Sequence, residues 1–297
     1  MKIFKNQNQA VRNPITILRS IVFFYAGLLP MVHADPAADG IIDTHWHAMA
    51  CQDDALDQVT SWMEEKGVIH AIVHPLGKSR PKNDVERRKM LAHFKAHDGR
   101  IERFCIIKPN EVGSIEEAVK ILETEKRDGA IGFGEHYGEG LMFDAPANMR
   151  LFAACQKVGL PIMFHMDDKQ NKDTADFKHL AHALDSYPKT IFIAHGPNWW
   201  KRFGSSNCDR MLSEHTNLYA DISAGSGATA LSKDRTYTAE FMQRHRKKLL
   251  FGTDCGWWSF RKNAKPAPQF ELMRTLDIPD DVKIDIYRGN AQRLFGF

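Results

Sequence analysis

The chain has 297 residues, of which 26% are charged and 43% are hydrophobic, and its formal net charge is +3. These proportions are ordinary for a soluble globular protein, and the length allows one large domain or two small ones. The first 34 residues hold four basic residues and no acidic one, so the remainder has a net charge of −1. No basic stripe is left in that remainder, which gives no support to a nucleic-acid-binding function.

The N-terminal segment has the features of a secretory signal peptide. Basic residues up to Arg19 precede an apolar run at 21–32, and small or apolar residues occupy the positions that signal peptidase reads before Asp35. The run is shorter than the ~20 residues of a membrane-spanning helix. We therefore predict a signal peptide over 1–34 and a secreted or periplasmic mature chain over 35–297. An uncleaved N-terminal anchor is the alternative, because the basic region is longer than usual.

From Gly40 onward, short apolar runs alternate with amphipathic helical patterns. Near-continuous apolar runs are typical of parallel strands buried on both faces. The predicted strands lie at 41–47, 71–76, 103–109, 130–136, 161–166, 190–196, 218–223 and 249–254. Eight strands with helices between them predict a (β/α)8 TIM barrel, and the chain after residue 34 is close to the ~250 residues typical of that fold.

Two of the predicted helices have clear end signals. Ser114 and Glu117 have the spacing of a capping box at the start of the helix after strand three. Pro146 and Gly159 are placed to begin and end the helix after strand four.

Ligand-type residues fall at the ends of five predicted strands. In TIM barrels the chemistry lies at the carboxyl ends of the strands. The residues are His45 and His47 on strand one, Glu135 on strand four, His165 on strand five, His195 on strand six and Asp254 on strand eight. Each residue alone would be a weak signal, since a lone histidine at a strand end is usually structural or exposed. The conjunction of four imidazoles and two carboxylates on one rim predicts a divalent metal site.

The sequence around these residues resembles the amidohydrolase superfamily, in particular its amidohydrolase-related branch. The matching motifs are IIDTHWH, GFGEH, LPIMFHMD, IFIAHG, LLFGTDCGW and the closing IYRGNAQRLFGF. The resemblance covers nearly everything after residue 40. In the closing segment, Asn290 and Arg293 are interpreted as structural.

The resemblance implies roles for the six residues. His45 and His47 would bind the more buried ion together with Asp254. Glu135 is the candidate bridging carboxylate, because no lysine ends strand four. His165 and His195 would hold a second ion. With only one ion, His165 would complete its ligands, and His195 would polarise the substrate or steer a proton.

The implied activity is metal-dependent hydrolysis of an ester, lactone, amide or similar bond. Imidazole and carboxylate ligands suit zinc, with manganese, iron or cobalt as alternatives, and one or two ions are compatible with the ligand set. Water activated by the metal would attack the substrate, and Asp254 would transfer its proton to the leaving group. The alternative is a one-metal decarboxylase resembling aminocarboxymuconate-semialdehyde decarboxylase. Such enzymes commonly lack a strand-four carboxylate ligand, so Glu135 favours hydrolysis. A non-catalytic binding barrel has no positive support, because the ligand set is complete.

Residues that would contact a substrate are less clearly marked. Tryptophans lie beside the ligands, and Trp46, Trp199 and Trp257 are candidates for an aromatic pocket, with packing under the rim loops as the alternative. Lys108, Lys169 and Arg261 would either bind a substrate carboxylate or be exposed charges. Further expectations are a supporting role for Asp43, a structural role for His74 and an outward-facing His136. The expected partner is a small-molecule substrate, without nucleic acid or a membrane after signal removal, and homo-oligomerisation stays open.

Overall fold

A computed structural model describes residues 35–77, 79–260 and 267–297. The predicted signal peptide over 1–34 and the candidate residue Arg261 lie outside the described residues. Among the helices of the described part, none is long and apolar enough to cross a membrane.

A single parallel sheet forms the centre of the molecule. Its strands, in chain order, are β1 (Ile41–His47), β2 (Val68–Val73), β3 (Ile101–Cys105), β4 (Ala130–His136), β5 (Ile162–His165), β6 (Phe192–His195), β7 (Leu218–Asp221), β8 (Leu249–Leu250) and β9 (Cys255–Gly256). Consecutive strands from β1 to β8 are neighbours, and β9 pairs with β1. β1 and β4 have the predicted bounds, whereas β2 and β3 begin earlier, because Val68 and Ile101 already pair with the preceding strands.

The barrel closes through an eighth strand that is broken into two pieces. β8 pairs with β7, and β9 pairs with β1. Between the pieces, the amide of Thr44 donates to the carbonyl of Phe251 over 2.9 Å, and the amide of Asp254 donates to the carbonyl of His45 over 2.9 Å. Asp254 has φ 57, in the left-handed region that few non-glycine residues adopt. The predicted TIM barrel is confirmed, and the break turns the Asp254 side chain onto the rim.

Helices follow the strands and cover the outside of the barrel. They are α1 (Ala55–Lys66), α2 (Asp84–Ala96), α3 (Ile115–Arg127), α4 (Pro146–Val158), α5 (Lys178–Ser186), α6 (Pro197–Lys201), α7 (Asn207–Glu214), α8 (Ala224–Lys233), α9 (Arg235–Arg244), α10 (Pro268–Thr275), α11 (Asp280–Ile284) and α12 (Asn290–Phe295). The Ser114 hydroxyl caps α3 by accepting from the amide of Glu117 over 3.1 Å. Gly159, with φ 74, ends α4, so both predicted sets of end signals are confirmed.

The apolar core has two parts. The larger part lies between the sheet and the surrounding helices. The smaller part fills the barrel interior and is formed by Ile42, Ile72, Phe104, Met163, Ile193, Leu250 and Ala291. Ala291 comes from α12, which therefore closes the end of the barrel opposite the strand carboxyl ends. Asn290 donates to the carbonyls of Arg246 and Leu249, which supports its structural interpretation.

Candidate metal centre

Glu135 lies at the centre of the six predicted ligand residues, which the fold brings together at the carboxyl ends of the strands. Its Oε2 atom lies 3.4 Å from Nε2 of His47 and 3.6 Å from Nε2 of His45. Its Oε1 atom lies 2.7 Å from Nδ1 of His165 and 3.5 Å from Nε2 of His195. The two oxygens of one carboxylate therefore face two different pairs of histidines.

Asp254 completes the cluster from the break in the eighth strand. Its Oδ1 atom lies 3.0 Å from Nε2 of His47, and its Oδ2 atom lies 4.0 Å from Nε2 of His195. The Asp254 side chain is 26% exposed, whereas those of His47 and Glu135 are nearly inaccessible. His165, at 15% exposed, is the other accessible member of the cluster. Solvent therefore reaches the cluster beside Asp254 and His165.

The donor atoms fit a divalent cation. Nδ1 of His47 donates to the carbonyl of His74 over 2.9 Å, so the ring would present a lone pair at Nε2 once the proton on that atom gives way to an ion. That atom lies 3.2 Å from Nε2 of His45, whose Nδ1 is bonded to Asp221 over 2.7 Å. Two imidazole lone pairs and two carboxylates therefore converge, and they need positive charge between them. Three ligand groups have donor atoms within 4.8 Å of one another: His45, His195, Asp254; His45, His47, Glu135; and Glu135, His165, His195.

The electrostatics of the cluster follow from the same contacts. Burial alone would lower the pKa of His47, but hydrogen bonds to Asp254 and Glu135 raise it to about 9. Burial alone would raise the pKa of Glu135, but the surrounding histidines, His165 foremost, hold it well below its usual range. Protons supply the positive charge in the ion-free protein, and a divalent ion would take their place.

Buried residues around the cluster hold its backbone in position. Asp43 accepts from the Thr253 hydroxyl over 2.6 Å and from the amides of Thr253 and His45. It therefore ties β1 to the segment before Asp254, and burial raises its pKa to about 7. The Nε2 atom of His74 is bonded to the carbonyl of Thr44 over 2.9 Å, which agrees with its predicted structural role.

His136 is bonded to Asn148 over 3.2 Å and has no part in the cluster. This placement matches the expectation that its side chain faces away from the barrel interior.

Sequence reasoning missed several groups that contact the ligands, among them Asp221 and Tyr137. Asp221, at the end of β7, accepts from Nδ1 of both His45 and His195 over 2.7 and 3.0 Å. Tyr137 donates its hydroxyl to Oε2 of Glu135 over 2.7 Å, and its ring stacks on His165 with centroids 4.9 Å apart. Asp221 carried the same sequence signal as the predicted residues, an acid that ends an apolar strand, but Tyr137 carried none.

The tryptophan candidates differ in their positions. Trp46 is fully buried and packs on Trp62 with ring centroids 5.3 Å apart. Trp199 is also fully buried, against Phe177. Both positions favour the packing interpretation over a substrate pocket.

Trp257 is half-buried and lies on the rim, unlike Trp46 and Trp199. It packs on Trp258, whose ring centroid is 5.5 Å from that of His47. An aromatic surface beside the cluster is therefore formed by the segment that follows the eighth strand.

The lysine candidates lie outside the cluster. Nζ of Lys108 pairs with Oε1 of Glu139 over 3.3 Å, and both side chains are well exposed. Lys169 is exposed, and its backbone amide donates to Asp167. Both positions favour the interpretation of exposed charges.

Residues 42–297 match the Amidohydro_2 family model, which is described as amidohydrolase. The chain belongs to this amidohydrolase family. No curated protein matches the sequence. Membership of this family of enzymes agrees with the barrel, with the ligand cluster and with the resemblance seen in the motifs.

Solved structures share the fold at low sequence identity. One is a candidate 2-pyrone-4,6-dicarboxylic acid hydrolase from Acinetobacter baumannii with citric acid bound, at 14% identity and TM-score 0.59 over 87% of this chain and 100% of that one. Another is 5-carboxyvanillate decarboxylase from Sphingomonas paucimobilis, at 17% identity and TM-score 0.55 over 87% and 99%. The 5-carboxyvanillate decarboxylase from Novosphingobium aromaticivorans, with manganese and a nitrobenzoic acid ligand, has 13% identity and TM-score 0.57 over 87% and 96%. These similarities concern the fold, which hydrolases and decarboxylases share.

Proposed function

We propose that this protein is a metal-dependent hydrolase that uses two divalent ions bridged by Glu135 to cleave an ester, lactone, amide or similar bond. The observation that supports this proposal most directly is the position of the Glu135 carboxylate. One of its oxygens faces His45 and His47, and the other faces His165 and His195. A carboxylate that serves a single ion has no need of a histidine pair at each oxygen.

The ligand assignment follows from these distances. His45, His47 and Asp254 would hold the first ion together with Oε2 of Glu135. The second ion would be held by His165, His195 and Oε1 of Glu135. Zinc is the proposed metal, because imidazole and carboxylate ligands suit it. Manganese is the alternative, because one structural neighbour contains it.

A divalent ion in such a site supplies a Lewis acid and lowers the pKa of water, so that hydrolysis proceeds at neutral pH. The protein supplies the proton transfer. Asp254 is the carboxylate at the accessible edge of the cluster, with its Oδ2 atom 4.0 Å from Nε2 of His195. It would accept the proton of the attacking water and deliver it to the leaving group. Tyr137, by donating to Glu135, would keep the bridging carboxylate oriented.

Metal content is the first test. After chelation and reconstitution with zinc, the wild-type protein is expected to bind two equivalents, and Glu135→Gln is expected to bind one or fewer, because an amide does not bridge two cations as a carboxylate does. Glu139→Gln is the matched control, since this exposed acid lies four residues away and pairs with Lys108. Wild-type protein without metal, or Glu135→Gln with two tightly bound ions, would contradict the proposal.

Decarboxylation is the second candidate reaction, because metal-containing decarboxylases share the fold. Two of the structural neighbours are named after compounds that contain a carboxylated six-membered ring. A substrate screen therefore begins with such rings and their lactones. Carbon dioxide release and proton release are measured together on each compound. Turnover with proton release but without carbon dioxide supports hydrolysis, and carbon dioxide release from a ring carboxylate supports the alternative.

Export is proposed from the N-terminal segment. Sequencing of the exported protein is expected to find Asp35 or a close neighbour first, and an intact Met1 would favour the anchor.

A further inference from the structure

We infer that Asp221 is a positioning residue that fixes the proton of two histidines at once and thereby prepares one ligand atom for each of the two proposed ions. The inference rests on the metal site of the proposed function. It adds a residue behind the ligands, on strand β7, which contributes no ligand of its own.

The contacts of Asp221 are fully buried. Its Oδ2 atom is 2.7 Å from Nδ1 of His45, and its Oδ1 atom is 3.0 Å from Nδ1 of His195. The Ser223 hydroxyl donates to Oδ2 over 2.8 Å, and the Ser223 amide reaches Oδ1 over 3.4 Å. The side chains of Asp221, His45 and His195, which we call the buried triad, are at most 1% exposed, so water does not compete for these hydrogen bonds.

The consequence of these contacts lies at the opposite ring nitrogens. A carboxylate only accepts hydrogen bonds, so each imidazole keeps a proton on Nδ1, and in the neutral ring that binds an ion this leaves the lone pair at Nε2. Nε2 of His45 is 3.6 Å from Oε2 of Glu135, and Nε2 of His195 is 3.5 Å from Oε1. Glu135 therefore lies on the Nε2 side of both rings, between the two proposed ion positions. Asp221 lies on the Nδ1 side of both rings and connects them there.

Asp221→Asn tests this arrangement with almost no change in shape. The amide has one accepting oxygen and one donating NH₂ group. The oxygen is expected at the Oδ2 position, because there it keeps the 2.7 and 2.8 Å bonds to His45 and Ser223. The NH₂ group then faces Nδ1 of His195 and favours the form of that ring with its proton on Nε2. The Ser223 hydroxyl oxygen, 2.9 Å from the same Nδ1, is the only other acceptor there in the described part of the chain, and its own proton is donated to residue 221. His195 loses its lone pair toward the second ion, whereas His45 keeps its own.

The readout is zinc affinity, measured by competition with a chromophoric chelator during titration of the metal-free protein. Asp221→Asn is expected to bind the first ion within a few-fold of wild type and the second about 10- to 100-fold more weakly.

Asp144→Asn is the matched control for this titration, because Asp144 also accepts from two Nδ1 atoms, those of His179 and His182 over 2.7 and 2.8 Å. It is expected to bind both ions as wild type does. Equal loss in Asp144→Asn and Asp221→Asn would overturn the inference.

The wild-type protein gives a second measurement that needs no variant at position 221. With ¹⁵N-labelled histidine and zinc bound, the side-chain nitrogen shifts of His45 and His195 are expected to report protonation at Nδ1. Assignment by single His→Gln variants identifies the two signals. Protonation at Nε2 in either ring, or wild-type affinity for both ions in Asp221→Asn, would contradict the inference alone. A wild-type protein that binds no zinc would contradict the proposed function as well.

Discussion

The same three-residue pattern, a carboxylate between two histidine Nδ1 atoms, occurs twice among the residues that the structure describes. Asp221 lies between His45 and His195 inside the barrel, where the side chains are at most 1% exposed. Asp144 lies outside the barrel between two histidines of α5, with exposures of 20%, 23% and 60%.

The difference lies in what the free ring nitrogens face. Inside the barrel they face the carboxylates of Glu135 and Asp254, and burial of the two rings and of Glu135 weakens the screening of these interactions by water. At the surface, hydration and salt leave such ion pairs a small effect on stability. A local motif therefore becomes a functional site only through the second set of groups that the fold places opposite it.

The largest expected effect is on kcat, when the same Asp→Asn substitution is made at the rim and at the surface. Asp254→Asn is expected to lower kcat by at least about 100-fold, since it removes the proposed general acid–base group. Asp144→Asn is expected to leave kcat within about two-fold. Steady-state kinetics on the first substrate identified in the screen checks both values, with thermal unfolding to verify the fold. Near-normal turnover of Asp254→Asn would reject the proton-transfer role.

The second prediction concerns the stability of the metal-free protein. Asp221→Ala removes the carboxylate that accepts from two buried Nδ1–H groups and leaves them only the Ser223 hydroxyl oxygen, 2.9 Å from Nδ1 of His195 and 3.3 Å from Nδ1 of His45. One hydroxyl does not replace both bonds, so the free energy of unfolding is expected to fall by about 1–3 kcal/mol. Asp144→Ala is expected to cost about 0–1 kcal/mol. Urea denaturation with chelator present measures both. Equal losses would mean that burial does not distinguish the two triads.

The smallest effect is the response of the surface triad to acid. Burial raises the pKa of Asp144, but the hydrogen bonds and charges of His182 and His179 together lower it below its usual value. A carboxyl with a lowered folded pKa contributes stability above its unfolded pKa of about 3.9 and loses it as pH falls through the folded value. The stability advantage of wild type over Asp144→Asn, at most about 1 kcal/mol, should therefore disappear below about pH 4. Urea midpoints of both proteins from pH 6 to pH 3 measure it, and an advantage that grows toward low pH would refute the assignment.

The sequence predicted the residues whose position depends on one strand alone. His45, Glu135 and His165 end apolar runs, and parallel strands bring such ends to one rim. The role of Asp221 was not predictable in this way, because it depends on two other strands that approach β7 only when the barrel closes. Tyr137 belongs to a loop, where no periodicity marks the direction of a side chain.

Other differences have equally local causes. Trp46 stands between His45 and His47, so the alternation of a strand already placed its ring on the opposite face, against the helices. The break in the eighth strand was not foreseen, because the apolar run at 249–251 leads within three residues to the acid at position 254. The eighth strand is divided only because its first piece, β8, pairs with β7 and its second piece, β9, pairs with β1.

The left-handed backbone conformation at Asp254 restricts the residue types that evolution can place at this position. Glycine, asparagine and aspartate are the residues that adopt such a conformation readily. Of these three, aspartate alone carries a charge. Glutamate, although it is also an acid, would be a poor replacement on conformational grounds. Most substitutions at this position would therefore distort the backbone at the rim of the barrel. Glycine and asparagine would keep the backbone but remove the charged carboxylate, and with it the proposed activity.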